Sequence, residues 1–147
     1  MGNEQKFLPE GVPGWHRPFW DSLRTRDIRI QRCSSCEAFR HIPKELCATC
    51  HSASYSWEPV SGRGVVYTYT VVHRAPTPAY QADTPYAIVH AAMEEGFRMV
   101  GVMTDATDLD AVTIGAPVRV VYTDLSPDWT VVEFEMIDEA RGSVTNA

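Results

Sequence analysis

The sequence predicts a mainly β protein: an N-terminal helix, a rubredoxin-like metal ribbon, and then a five-stranded barrel of the OB type. Three observations lead there. Two Cys-x-x-Cys pairs stand ten residues apart, five short β-rich segments follow Gly62, and a tight turn at Glu94-Glu95-Gly96 makes one hairpin in their midst. A small closed barrel suits such strands because closure leaves no exposed sheet edge. At 147 residues the chain holds one domain, or a small module joined to one of about a hundred residues.

Taken in order, residues 1–32 form an arm and a helix leading into the ribbon. Pro9, Gly11, Pro13 and Gly14 make the start an extended arm. Pro18 to Arg26 reads as a short helix: Pro18 suits the first turn, and Phe19, Trp20 and Leu23 share one side that docks on the body. Residues 33–61 are the ribbon, flanked by short strands over Ile28–Gln31 and Tyr55–Val60. Residues 62–137 are the barrel. Its first strand, Gly64 to His73, is dense in β-branched and aromatic residues, with Val65, Tyr67, Tyr69 and Val71 on one face. A long loop with Pro76, Pro78 and Pro85 follows. Tyr86–Met93 and Phe97–Thr104 pair as the hairpin, Asp105–Gly115 is an acidic connection with room for one helical turn, and Pro117–Thr123 and Thr130–Met136 complete the set. Residues 138–147 read as a flexible tail.

All four cysteines, Cys33, Cys36, Cys47 and Cys50, fall within eighteen residues. A two-residue gap lets both thiolates of a knuckle point at one ion, and two knuckles complete a tetrahedral S₄ site, which suits zinc better than a single iron. Protein fills all four positions, so the ion's role is structural. A segment of about thirty residues buries too little apolar area to fold alone, and the metal supplies the missing free energy. Two disulfides are the alternative. No basic start followed by an apolar stretch marks the first fourteen residues, which points to the reducing cytoplasm and against disulfides. Many ribbons carry glycine after each pair. Here Glu37 and His51 stand there, which weakens an iron reading and makes His51 an available but unneeded substitute ligand.

A catalytic set is harder to find. The histidines are His16, His41, His51, His73 and His90, and no serine or cysteine nucleophile has a recognisable motif. Asp105, Asp108 and Asp110 lack the glycine and terminal glutamate of a calcium loop. The formal charge of −6 argues against a phosphate-gripping nucleic-acid surface, and no apolar run approaches the length of a membrane span.

The ordered motifs identify a family resemblance. They are Phe19-Trp20, Cys33-x-x-Cys36 with Arg40 and Pro43, Cys47-x-x-Cys50, Gly64-Val-Val-Tyr-Thr-Tyr-Thr-Val-Val-His73, Pro85-Tyr86, Gly96-Phe97-Arg98 and Ile114-Gly115-Ala-Pro117. Together, from Trp15 to Met136, they resemble the zinc-ribbon/OB-fold proteins of acyl-CoA metabolism, domain of unknown function family 35. The resemblance implies a non-catalytic accessory subunit that binds a thiolase-like or MaoC-like enzyme and helps hold an acyl-CoA thioester, including in the shortening of fatty or steroid side chains. Such a role needs a few cations and an aromatic platform for CoA. Among Arg40, Lys44, Arg63, Arg74, Arg98, Tyr67, Tyr69, Tyr86 and Phe97, the expected contacts are Arg40, Lys44, Arg74, Tyr86, Phe97 and Arg98. Partner docking is expected at the helix around Phe19 and Trp20 or at the loop from Ala75 to Pro85. The other readings are an independent enzyme using His73 or His90, a single-stranded nucleic-acid binder stacking bases on its aromatics, and an iron redox protein.

Overall fold

The computed structural model describes residues 6–104 and 109–138. After a 3₁₀ turn at Gly14–His16, helix α1 spans Arg17–Arg24 with Pro18 in its first turn. Its end is a Schellman motif. Arg26 takes the left-handed conformation at φ 55°, its N–H donates to the Leu23 carbonyl at 3.0 Å, and the Asp27 N–H donates to the Ser22 carbonyl at 3.0 Å. Arginine is an unusual occupant there, and Asp124 holds its guanidinium at 2.6 Å. Leu23 and Phe19 are buried, while Trp20 packs edge-on against Trp129 at 5.7 Å. Phe19 and Leu23 are therefore spent within the chain, and Trp20 is half-buried against Trp129.

The ribbon sheet has the order β2-β1-β3, with β1 at Arg29–Cys33, β2 at Phe39–Arg40 and β3 at Tyr55–Pro59, all antiparallel. The two-residue strand β2 was not foreseen, because so short a run carries no period. Beyond it stands a closed barrel in the order β4-β5-β6-β8-β7, comprising β4 (Arg63–Val72), β5 (Tyr86–Met93), β6 (Arg98–Met103), β7 (Pro117–Ser126) and β8 (Trp129–Met136). Every pairing is antiparallel except β6 with β8, which are parallel through Val102–Glu133 and Met103–Phe134. This is the mainly β ribbon-and-barrel architecture expected from the sequence.

Alternation in β5 is regular: Ala87, Val89, Ala91 and Met93 point inward, against Val66, Met99, Val118 and Phe134. Strand β4 is different. Val65 lies opposite Ala92, but the register shifts between Val66 and Thr68, so Tyr69 and Val71 lie opposite the inward Val89 and Ala87. A β-bulge at Tyr67 thus splits the predicted single face of Val65, Tyr67, Tyr69 and Val71. Gly64 is required where β4 crosses β5, since a Cβ there would stand 2.5 Å from the Ala92 carbonyl oxygen.

Aromatic rings join ribbon to barrel. Phe97, just before β6, lies 5.7 Å from Phe39 and 5.8 Å from His41, and His41 lies 5.5 Å from Phe19 of the helix. Among the described residues no helix is long and apolar enough to cross a membrane. The acidic connection contains a 3₁₀ turn at Leu109–Ala111; Asp105 and Asp108, and the tail beyond Asp138, lie outside the described residues.

Candidate metal centre and barrel surface

Each knuckle is a backbone turn that aims two sulfurs at one point. In the first, the Cys33 N–H donates to the Ala38 carbonyl at 2.9 Å and the Glu37 N–H to the Cys33 carbonyl at 3.0 Å. In the second, the same two bonds join Cys47 to Ser52 and His51 to Cys47, both at 2.9 Å. Glu37 and His51 occupy matching left-handed positions, at φ 63° and 62°. These are the places where the sequence lacked the customary glycines, so each L-residue bears a steric cost there.

The four Sγ atoms lie within 4.8 Å of one another, with Cys33–Cys50 at 3.6 Å and Cys36–Cys47 at 3.5 Å. A disulfide needs about 2.05 Å, whereas ligands about 2.3 Å from a central ion sit about 3.75 Å apart in a tetrahedron. The thiols are free, and their spacing fits a tetrahedral metal ion. The His51 side chain stands outside this group of four.

Protonation tells the same story. The Cys36 N–H and then the Arg40 guanidinium stabilise the Cys33 thiolate, bringing it down to about 5. The Cys50 and Thr49 N–H groups likewise lower Cys47. At Cys36 the Ala38 N–H favours the thiolate, but the Cys50 sulfur, desolvation and the remaining sulfurs outweigh it and push the thiol up to about 12. Four sulfurs this close cannot all ionise without a cation between them.

Arg40 is buried, at 3% exposure, and its Nη2 donates to the Ser52 and Ser54 carbonyls at 2.8 and 2.9 Å. Nη1 reaches the Lys44 and Glu45 carbonyls, and the guanidinium lies 5.2 Å from the Tyr55 ring. Beside it, the buried Gln31 accepts from the Lys44 N–H at 2.7 Å. Arg40 therefore pins the second knuckle loop onto the sheet. Phe97 is spent in a similar way, at 6% exposure inside the ribbon–barrel joint.

The remaining expected contacts do not converge on one pocket. Tyr86 lines a groove of about 670 Å³ on the outer wall of the barrel. Its apolar surface comes from Phe7, Ile88, Val100, Val102 and Val131, beside the parallel β6–β8 junction. Lys6 from the arm bonds Asp83 of the proline-rich loop at 2.7 Å and lies over Tyr80 at 5.4 Å, closing one side. Arg98 stacks on Tyr67 outside the groove, Arg74 is exposed just beyond β4, and Lys44 is exposed on the ribbon loop. Sequence reasoning missed Lys6, Phe7, Tyr80 and Asp83, since only folding brings arm and loop together.

Comparison with known proteins agrees with this geometry. Residues 20–56 match the family model described as ChsH2, rubredoxin-like zinc ribbon domain, and residues 57–123 match ChsH2, C-terminal OB-fold domain. The 3-oxo-4,17-pregnadiene-20-carboxyl-CoA hydratase alpha subunit of Mycobacterium tuberculosis is 35% identical over 117 residues, which is 80% of this chain but 36% of that protein. This chain thus spans about a third of the hydratase subunit's length. A DUF35 domain-containing scaffold protein of Methanocaldococcus jannaschii is 36% identical over 111 residues, 74% of this chain and 77% of that one. Among solved structures, a chain of the Ltp2-ChsH2(DUF35) aldolase superposes with a TM-score of 0.75 at 28% identity, over 86% of this chain and 97% of that chain. Sharing both domains with these proteins, in the same order and over most of its length, the chain belongs to the DUF35 family of ChsH2-type zinc-ribbon/OB-fold proteins.

Proposed function

We propose that this chain is a non-catalytic accessory subunit of an acyl-CoA enzyme, binding a thiolase-like partner, with a MaoC-like hydratase as the alternative partner, and helping to hold the acyl-CoA thioester. One observation carries the reading: the superposition covers 97% of a DUF35 chain that belongs to an aldolase assembly. Ribbon, helix and barrel are thus matched together, which is a stronger warrant than barrel likeness alone. The hydratase subunit supports a place in steroid acyl-CoA chemistry, and the DUF35 scaffold protein supports an accessory role.

Zinc is the ion we assign to Cys33, Cys36, Cys47 and Cys50. Four thiolates leave no open position for substrate, so the metal's contribution is to fold the ribbon. Free thiols at this density need a reducing compartment, and we place the chain in the cytoplasm. For CoA, the groove beside Tyr86 has the size and apolar lining of a small-molecule cleft and suits a slim pantetheine arm. Lys44 and Arg74 remain the cations for its phosphates, Arg98 stands on Tyr67 on the neighbouring face, and Arg40 and Phe97 support the site from within.

The test is co-expression with the thiolase-like or MaoC-like enzyme encoded beside this chain, with purification through a tag on this chain alone. Co-elution, zinc near one per chain, and acyl-CoA turnover that the partner lacks alone are the expected results. A zinc-loaded chain that retains neither enzyme overturns the accessory role. Turnover by the isolated chain, lost in His73→Ala, would instead make it an enzyme.

A further inference from the structure

Most cations of this protein are already matched with carboxylates: Lys6, Arg17, Arg24, Arg26, Arg29, Arg32, Arg63 and Arg119 all form ion pairs. Arg98 is an exception, with no ion pair or hydrogen bond among the described residues. It is nevertheless held in place. Its guanidinium lies 3.7 Å from the centroid of the Tyr67 ring, and the same ring meets His90 edge-on at 5.9 Å. A guanidinium so close over a ring is held by its face, and among the described residues no ion pair or side-chain hydrogen bond occupies its N–H groups, which are available to a carboxylate.

The surroundings of this cation are apolar. Strands β4, β5 and β6 place Val65, Ala92 and Arg98 in one row across the outer face, and Thr68, His90 and Val100 in the next. Val65, Tyr67 and Val100 are 42%, 47% and 59% exposed, which is high for side chains of this type. The bulge at Tyr67 turns that ring out onto this face, so the patch is a product of the same irregularity that split β4. From strand spacing and rise, its area is about 300 Å². That is over a third of the ~800 Å² each partner gives to a stable protein interface.

Chemistry narrows the occupant. The patch is not a pocket, so it does not enclose a small ligand. Nucleic acid would need several free phosphate-facing cations, and the other arginine on this side of β4, Arg63, is already paired with Glu94. A second copy of the same face would bring Arg98 and, as its nearest carboxylate, a Glu94 already paired with Arg63. What fits is a protein surface with a carboxylate set among aliphatic side chains, meeting an aromatic–arginine pair of the kind that dominates binding energy at interface centres. Resting on the accessory-subunit reading, we infer that this outer face of β4–β5–β6 is the centre of the contact with the partner enzyme, which supplies a carboxylate to Arg98. The patch runs into the groove through the shared Val100, so the bound partner would also border the proposed CoA site.

Calorimetry with the purified partner enzyme and the zinc-loaded chain tests this. Arg98→Glu should weaken binding by at least about thirtyfold and Arg98→Gln by less. Tyr67→Ala should weaken it too, and combined with Arg98→Gln should show less than the sum of the two effects, because the ring acts by holding the guanidinium. Arg24→Gln on the helix serves as the control and should bind normally. Since the Arg98 side chain makes no hydrogen bond among the described residues, all these variants at position 98 should keep wild-type zinc content. Wild-type binding that Arg98→Glu leaves within twofold would overturn this inference while sparing the accessory reading. No binding by the wild type would remove both, and patch variants that alter self-association alone would give the face to a second copy and refute the proposal.

Discussion

Acidification should loosen the joint between ribbon and barrel, and His41 sets the size of the effect. The imidazole lies between the Phe19 and Phe97 rings, and its Nδ1 is buried without a hydrogen-bond partner among the described residues. Desolvation alone pushes its pKa from 6.5 down to about 4. Between those values the unfolded chain binds a proton that the folded chain refuses, so stability is complete above pH ~6.5 and declines as the pH falls. The full loss is about 3 kcal/mol, of which about 2 kcal/mol has accrued by pH 5. Urea unfolding followed by tryptophan fluorescence at pH 7.5 and pH 5.0, on wild type and His41→Phe, isolates this share. The phenylalanine ring keeps the aromatic packing and cannot take the proton, while acid effects on the thiolates are common to both proteins and cancel. The wild type should lose about 2 kcal/mol more than the variant, close to 5 °C in Tm for a chain of this size. Equal losses in the two proteins would refute the reasoning.

Three further outcomes follow from the geometry. Cys36→Ser should reduce bound metal from near one per chain to near none by elemental analysis, because three thiolates and a neutral hydroxyl form a far weaker site; the barrel strands should persist by circular dichroism while the ribbon unfolds. Glu37→Gly and His51→Gly should each stabilise the metal-loaded protein by about 0.5–1 kcal/mol in denaturant titration, since glycine removes the steric cost at φ 63° and 62°. Gly64→Ala should cost about 3 kcal/mol or more, because its Cβ would meet the backbone oxygen of Ala92 at 2.5 Å and only separation of β4 from β5 relieves the clash; a loss below 1 kcal/mol by the same titration would contradict it.

Local chemistry made much of this protein legible in advance. The metal ribbon follows from four residues whose spacing alone brings four sulfurs together, since each knuckle closes over four residues. Strand β5 was readable because its buried and exposed residues alternate without a break. Strand β4 was readable as a strand but not as a surface: one extra residue at Tyr67 reverses every side chain after it, and no local signal marks that position. Arg40 and Phe97 looked like ligand contacts because residue type alone cannot tell a free cation from one bonded to four carbonyls, or an exposed ring from a packed one.

By itself, then, the sequence determined what short-range forces decide: the helix, the two sulfur knuckles, the strands and the turn that pairs β5 with β6. Tertiary structure alone decided which faces remain open. The Phe19–His41–Phe97 joint, the groove between arm and proline-rich loop, and the Arg98–Tyr67 stack each unite residues far apart in the chain. Their contacts depend on barrel closure and strand register, which are set by the burial of the whole core rather than by any one segment.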